Sequence, residues 1–341
     1  GVKIVGSSPS VLDITFYFKI PSLSGTTPTT YDPAGLPFVH MGTKFISESG
    51  VSFELIEDLD FTELDFAGNY KFDILIGEQD PSTNRPLNWL ISRTGIAVSG
   101  QRETESFSLG SFEAFKRITL SKENITEIVS IFDSEGNEYY QVENLTHASV
   151  FKKIKNLKHD QDSVPHHLEI IPAPYRFTEE TSLNTRLTTL VFGGGSADRY
   201  ETEDDDIIPD PSEYALPLYG KNTVSRFSIN PSNLLTTTTL GILTPNTTLT
   251  IDYRYGGGLS HNIEREAIKS ITDLRITFPN NPSPTISALV VQSADANNLK
   301  RASGGEDPLT LEELKQKIPS ERAAQSRIVE QRDLLARIYK M

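Results

Sequence analysis

Among the residues that could do chemistry, the histidines and acids come first, and their spacing decides what they can do. The chain has 341 residues, with six His and 46 Asp or Glu. His166 and His167 are adjacent at the start of an expected strand, where successive side chains point to opposite faces. They make a poor metal pair. Asp204, Asp205 and Asp206, with Asp210 beyond them, offer the carboxylate oxygens that a hard cation such as calcium needs. They lack the alternating spacing and central glycine of an EF-hand loop, so a solvated acidic loop is preferred and cation binding there stays open. Gly193 to Gly195 and Gly256 to Gly258 would cradle phosphate only if a helix N-terminus with Lys and Ser/Thr followed. Neither run is so followed, and turns or close backbone approach suit them better. Paired carboxylates for glycoside hydrolysis occur in any chain this rich in acids, which is a base rate and not a signal.

Other chemistry is missing from the sequence. With no cysteine, a disulfide scaffold, a zinc ribbon and a thiol nucleophile are excluded. No HExxH, GxSxG or Walker loop occurs, nor a GxGxxG between a strand and a helix. The Asn-x-Thr sequences at Asn124, Asn144 and Asn246 sit in strand-like text where glycosylation is not expected. No catalytic, cofactor-binding or metal-binding residue is therefore assigned. The formal net charge of -14 sets the average surface against nucleic acid and anionic membranes. From Leu311 onward there are seven Lys/Arg and five Asp/Glu, a net of +2 that leaves -16 on the rest. No stretch approaches the roughly 18 unbroken apolar residues of a membrane helix.

The elements that would position side chains are mostly strands. Val11 to Ile20 alternates and is rich in aromatic and β-branched residues before Pro21. Phe45 to Leu55 spells a hairpin around Glu48-Ser49-Gly50. Lys71 to Ile76 and Ile96 to Phe107 continue the pattern. Ile128 to Phe132, the turn Asp133 to Asn137, and Glu138 to Val142 form the clearest hairpin, with Gly136 and Asn137 suited to positive φ. His167 to Ile171, Arg186 to Phe192, Thr248 to Tyr255 and Leu274 to Phe278 complete the strands.

Past Gly305 the text turns helical. Thr310 with Glu313 is a capping box, and Leu311, Leu314 and Ile318 form a stripe expected to be buried, with Pro319 ending the helix. A second run from about Glu330 carries Leu334, Leu335, Ile338 and Tyr339 on one side, an apolar face that something must cover. These four residues are the expected interface, unless further chain covers them as internal core. The fold class expected is mainly β, within the broader α+β class, with a short helical C-terminal segment.

The most specific text is Ala302-Ser303-Gly304-Gly305-Glu306-Asp307, then Leu309 to Lys315, Ile318-Pro319, Ala324-Gln325-Ser326-Arg327-Ile328-Val329 and Asp333-Leu334-Leu335. It resembles the segment shared by baseplate J proteins of contractile phage tails and the baseplate wedge subunit of T-even-like phages. Gly42 to Leu55 resembles that family's first hairpin, and Phe107 to Gly110, Phe115 to Leu120 and Val129 to Val142 resemble the wedge branch. Tyr253-Arg254-Tyr255-Gly256-Gly257-Gly258 with Asn262 is similar to the family's Gly-rich strand exit. One departure is Glu330, where the family has a capping Thr or Ser three residues before the last Asp.

The resemblance implies a discontinuous β core from residues 1–67 and 247–297, an inserted β domain over 68–246, and a helical linker or interface segment over 298–341. Contacts between Val11–Phe18 and Leu249–Tyr255 would support that division. It also implies that this is an internal piece, with relatives carrying a segment before Gly1 and a small α/β domain beyond Met341. The implied function is structural, in a virion baseplate assembled in the host cytoplasm. The protein would dimerise and join other wedge proteins in a six-fold ring, and transmit the shape change that triggers sheath contraction. No enzyme activity, cofactor, metal, nucleic acid or membrane is implied. The rival reading is a glycan-binding or glycan-cleaving tail protein, which predicts exposed aromatic platforms flanked by carboxylates. The single tryptophan, Trp89, is sparse for that.

Overall fold

A computed structural model describes residues 6–23, 30–65, 67–156, 158, 160–161, 163–196 and 240–324. The strands of the first part are β1 (Val11–Pro21), β2 (Phe38–Val39), β3 (Lys44–Ser47), β4 (Ser52–Leu55), β5 (Leu59–Asp60), β6 (Asp73–Ile76) and β7 (Asn88–Ser99). Next come β8 (Gln101–Ser108), β9 (Arg117–Glu123), β10 (Ile125–Asp133), β11 (Tyr140–Gln141), β12 (Ser149–Lys155) and β13 (His166–Pro172). They are followed by β14 (Arg176–Thr181), β15 (Leu187–Phe192), β16 (Gly195–Ser196), β17 (Ile242–Leu243) and β18 (Thr248–Tyr255). The last are β19 (Ile268–Asp273), β20 (Ile276–Thr277), helix α1 (Pro284–Gln292), β21 (Asp295–Asn297) and helix α2 (Leu311–Ala324). The fold is mainly β, with antiparallel sheets and a short helical segment near the C-terminus.

Two apolar cores organise these strands. The first lies on a sheet ordered β19-β3-β4-β7-β1-β21, with β6 added along β7. β1 supplies it by strict alternation: Leu12, Ile14, Phe16, Phe18 and Ile20 are buried on one face. Phe16 meets Phe45 edge-on at 5.4 Å and Phe18 meets Phe61 at 5.3 Å, arrangements that suit the ring quadrupoles. Each such side chain contributes about 1.5–3 kcal/mol by leaving water. The second core fills the space served by the sheets β10-β18-β8 and β11-β14-β15-β9, with Leu120, Ile131, Phe177, Leu190, Phe192 and Ile251 at its centre.

The chain crosses between the cores at two glycines. β7 and β8 were expected as one run from Ile96 to Phe107, but Gly100 breaks it with φ of +118°. A side chain there would sit 2.9 Å from the Tyr255 carbonyl oxygen, so only glycine fits. The return crossing is at Gly256, also at positive φ, where β18 ends.

Several expectations are corrected. Thr248–Tyr255 does not pair with β1: its ladder partners are β8 and β10, while β1 pairs with β7 and β21. The strand expected to close the first core thus belongs to the second, because its inward residues Leu249, Ile251 and Tyr253 face Ile131 and its neighbours. The turn at Asp133–Asn137 forms as expected, with the Asp133 carboxylate accepting from Glu135 and Asn137 backbone N–H groups. The chain returns along β10 only briefly: Glu138 bridges Phe132 and Tyr139 N–H donates to Ile131 O. Tyr140–Gln141 then pairs in parallel with β14 in the other sheet, and buried Tyr139 becomes the corner, packed edge-on to Phe192 at 5.6 Å.

Pro319 does not end its helix, which continues to Ala324. A single proline removes one backbone donor and bends a helix, and Glu321, Arg322 and Ala323 beyond it are helix formers. Of the stripe expected to be buried, only Leu314 is, while Leu311 and Ile318 are exposed. Helix α1 had no sequence expectation, although Ser283-Pro284 carries the signature: the Ser283 hydroxyl accepts from Ile286 N–H and proline stands at the first helical position.

Candidate interaction surfaces

The four residues chosen from the sequence as an interface, Leu334, Leu335, Ile338 and Tyr339, lie outside the described residues, as do Asp204, Asp205, Asp206 and Asp210. The capping box is formed: Glu313 Oε2 accepts from Thr310 N at 2.8 Å and the Thr310 hydroxyl accepts from Glu313 N–H at 3.3 Å. The Thr310 N–H and the Thr310 hydroxyl, both donating to Glu313 Oε2, hold the Glu313 carboxyl below its usual range. His166 and His167 fall on opposite faces of β13, each exposed. Among the described residues, no three of His, Asp or Glu are grouped so as to hold a metal ion.

The glycine runs serve close backbone approach. A side chain on Gly193 would strike the Gly241 backbone at 2.2 Å, and one on Gly257 would lie 2.5 Å from the Ser8 carbonyl oxygen. Around Gly257 three distant segments are clamped together. Gly258 N–H donates to Ser8 O and Ser8 N–H to Glu306 O. Asn262 ties the rest: its Oδ1 accepts from Ser10 Oγ and Gly305 N, both at 2.9 Å, and its Nδ2 donates to Gly305 O at 2.8 Å. The Asp307 carboxylate accepts from Leu259 N at 3.0 Å. A carboxamide offers acceptor and donor on one rigid group, which lets one side chain satisfy both backbone atoms of Gly305.

Beside this clamp, a buried ion network spans the two cores. Phe53 and Leu55 of β4 point into the first core, so Glu54 between them points out of it, toward β18. There Glu54 Oε2 takes Arg254 at 3.0 Å and Oε1 takes Arg102 at 3.2 Å. Glu54 and Arg254 side chains are only 5% and 4% exposed. Arg254 also reaches Glu127 at 3.4 Å, and Arg102 binds Asp252 through two of its nitrogens. The Asp252 and Glu54 contacts raise the Arg102 pKa against the opposing effect of burial, so it is a permanent cation. Sequence reasoning missed this site, because in Ser52-Phe53-Glu54-Leu55 an acid alternating with apolar residues reads as the ordinary solvent side of a strand.

A cleft of about 730 Å³ opens between the loop after β5 and the base of the β12–β13 ribbon, lined among others by Glu57, Asp58, Asp60, Glu63, Arg93 and Lys155. Its acids are already occupied. Glu57 accepts from Ile96 N, Asp58 from Met41 N, and Asp60 from the backbone N and hydroxyl of Thr62. Glu63 is bound by Arg93 at 2.6 Å, Lys155 at 3.1 Å and Lys71 at 3.4 Å. Burial pushes the Glu63 carboxyl up, but hydrogen bonds and charges from Arg93 and Lys155 outweigh it and hold it at about 2. A proton donor working near neutrality needs the opposite shift. The cleft is built as an electrostatic seam between ribbon and core. Trp89 is half-buried in β7, with its indole N–H buried and unbonded, and is not an open platform.

The ribbon itself is unlike the rest of the molecule. β12 and β13 pair with each other in a two-stranded sheet, and Phe151, Ile170 and Leu168 are 70%, 63% and 68% exposed. Compared with known proteins, the chain matches no family model and no curated sequence.

Proposed function

We propose that this chain is a structural subunit of a contractile-tail baseplate wedge, working by the shape it offers to neighbours and to further copies of itself. In this reading it sits in the virion baseplate, dimerises, joins other wedge proteins in a six-fold ring around the hub, and passes on the change of shape that triggers sheath contraction. The observation that carries the reading is the clamp at Asn262. The Gly-rich exit and the Ala302–Asp307 segment, the second of which opens the most specific part of the resemblance, hold each other through hydrogen bonds across 43 positions of chain. A pattern maintained by a tertiary contact is a pattern of architecture, not of a reacting centre.

The mechanical side of the reading rests on the two-core layout. A device that transmits motion needs rigid bodies joined by few strands and a bistable contact between them. Two crossings at glycine between two separate cores are consistent with the first of these requirements.

The test is direct. The full chain, tagged and expressed in cells producing contractile-tailed particles, is expected in purified baseplates at a fixed ratio to their other proteins. Incubation with host polysaccharide is expected to release no reducing ends. Absence from the particles, or turnover of the polysaccharide, overturns the reading in favour of a glycan-directed tail protein.

A further inference from the structure

We infer that the β12–β13 ribbon of one copy docks on the free edge of β6 in a second copy of this chain. The inference deepens the assembly reading above and rests on it for the expectation that copies meet.

Ribbon geometry comes first. The register pairs Phe151 with Ile170 and Lys153 with Leu168, so these four side chains share one face. Val150, Ile154 and Ile171 share the opposite face and are half-buried, and Lys152 there approaches Glu138. One face thus leans on the body, and the other presents three large apolar groups to solvent. A two-stranded ribbon is marginal in water without a third partner. Both its outer edges are unpaired among the described residues, a condition that proteins normally block because it invites strand addition.

The strand β6 is the counterpart. Among the described residues it pairs only with β7, and Ile74, Leu75 and Ile76 are all exposed, Leu75 by 66%. An apolar, one-sided edge strand of this kind is a binding template.

Charge selects one for the other. The ribbon strands carry three Lys against one Glu, of which Lys152 approaches Glu138 and Lys155 is held by Glu63; residues 73–78 carry two acids and no base, of which Glu78 is held by Lys19 at 2.8 Å. Lys153 shares the apolar ribbon face and has no ion pair among the described residues, so it is placed to meet Asp73 of another copy. On a chain of net charge -14 most surfaces repel a second copy, and the ribbon is a cationic exception. The two patches differ, so the contact is between unlike surfaces. Used reciprocally by one pair it closes a two-fold dimer, and used head to tail it grows toward a ring.

Sedimentation velocity on the full chain over a dilution series tests this. The wild type is expected to self-associate, more weakly at high salt because the charge component is screened. A ribbon variant, Phe151→Glu with Leu168→Glu, and an edge variant, Asp73→Lys with Leu75→Lys, should each weaken association by about tenfold or more. All four positions are exposed, so unchanged circular dichroism is expected to show that both variants fold. Mixed in equal amounts, the two variants should regain association, since each retains the patch that the other has lost. A monomeric wild type, a variant that associates like the wild type, or a mixture that stays apart overturns the contact. A wild type that is monomeric yet present in purified baseplates removes this contact and leaves the assembly reading standing. A self-associating chain that is absent from them does the reverse.

Discussion

The Glu54 junction and the β12–β13 ribbon are both places where a few strands leave a core, yet they solve the problem in opposite ways. At the junction, Glu54 and Arg254 are buried and joined to each other, Arg102, Asp252 and Glu127 by four ion pairs across β4, β8, β10 and β18. At the ribbon, apolar groups are exposed, and among the described residues Lys155 with Glu63 and Lys152 with Glu138 are the ion pairs that tie it to the body. A buried charge is tolerated only with partners in place, so the junction is finished within this chain. An exposed apolar face is finished only by something from outside. Burial of charge and exposure of apolar surface therefore mark, on one molecule, the internal contacts and the contacts still to be made.

The strongest way to break this comparison is at Arg254. Arg254→Ala leaves Glu54 buried with half its compensation gone, and should lower unfolding stability by about 3–5 kcal/mol in urea titration. The double change Glu54→Met with Arg254→Met should cost much less than the single change, because neither charge is then stranded. A loss below about 1 kcal/mol for Arg254→Ala would mean that water reaches the site and the junction is open. Next, Asn262→Ala removes both halves of the carboxamide bridge to Gly305 and should cost about 1–3 kcal/mol. The thermal midpoint reads it.

At the ribbon the expected stability effects are small, which sharpens the contrast. Phe151→Ser should stay within about 0.5 kcal/mol of the wild type by the same titration, since its side chain is mostly in water. A large loss would show that the apolar face is already covered within the chain.

The smallest effect is with pH. The Glu63 carboxyl is held at about 2, below its ordinary 4.5, so its contribution is complete above the ordinary value and disappears as pH falls through the lower one. Protection of the ribbon amides, taken against the intrinsic exchange rate at each pH, should therefore fall between those two pH values as Lys155 loses its partner. Protection unchanged across that window would remove Glu63 from the attachment of the ribbon.

Much of this was legible without coordinates. The alternation of Val11 to Ile20 gave both the strand and its buried face, and Thr310 with Glu313 gave a capping box that is formed. The glycine runs read as turns or close approach because no helix N-terminus carrying Lys and Ser/Thr follows them in the sequence, and Gly193, Gly257 and Gly256 serve those roles. What was not legible was partnership. Thr248–Tyr255 has the same period whether it lies beside β1 or β8, and nothing local in Tyr140–Gln141 says that it leaves its hairpin for β14. Glu54 reads as an ordinary acid on the outer side of its strand, between Phe53 and Leu55, and its role depends on Arg254, 200 positions away in sequence and adjacent in space.

By itself, then, the sequence determined the strand-rich fold, the turns and the lack of the usual catalytic signatures, because alternation, turn chemistry and motif spacing are properties of a few neighbouring residues. Only the tertiary structure decided which strands share a core, which charges are buried together, and which apolar face is left open. Those outcomes depend on distances between segments far apart in the chain, where no local pattern distinguishes one partner from another.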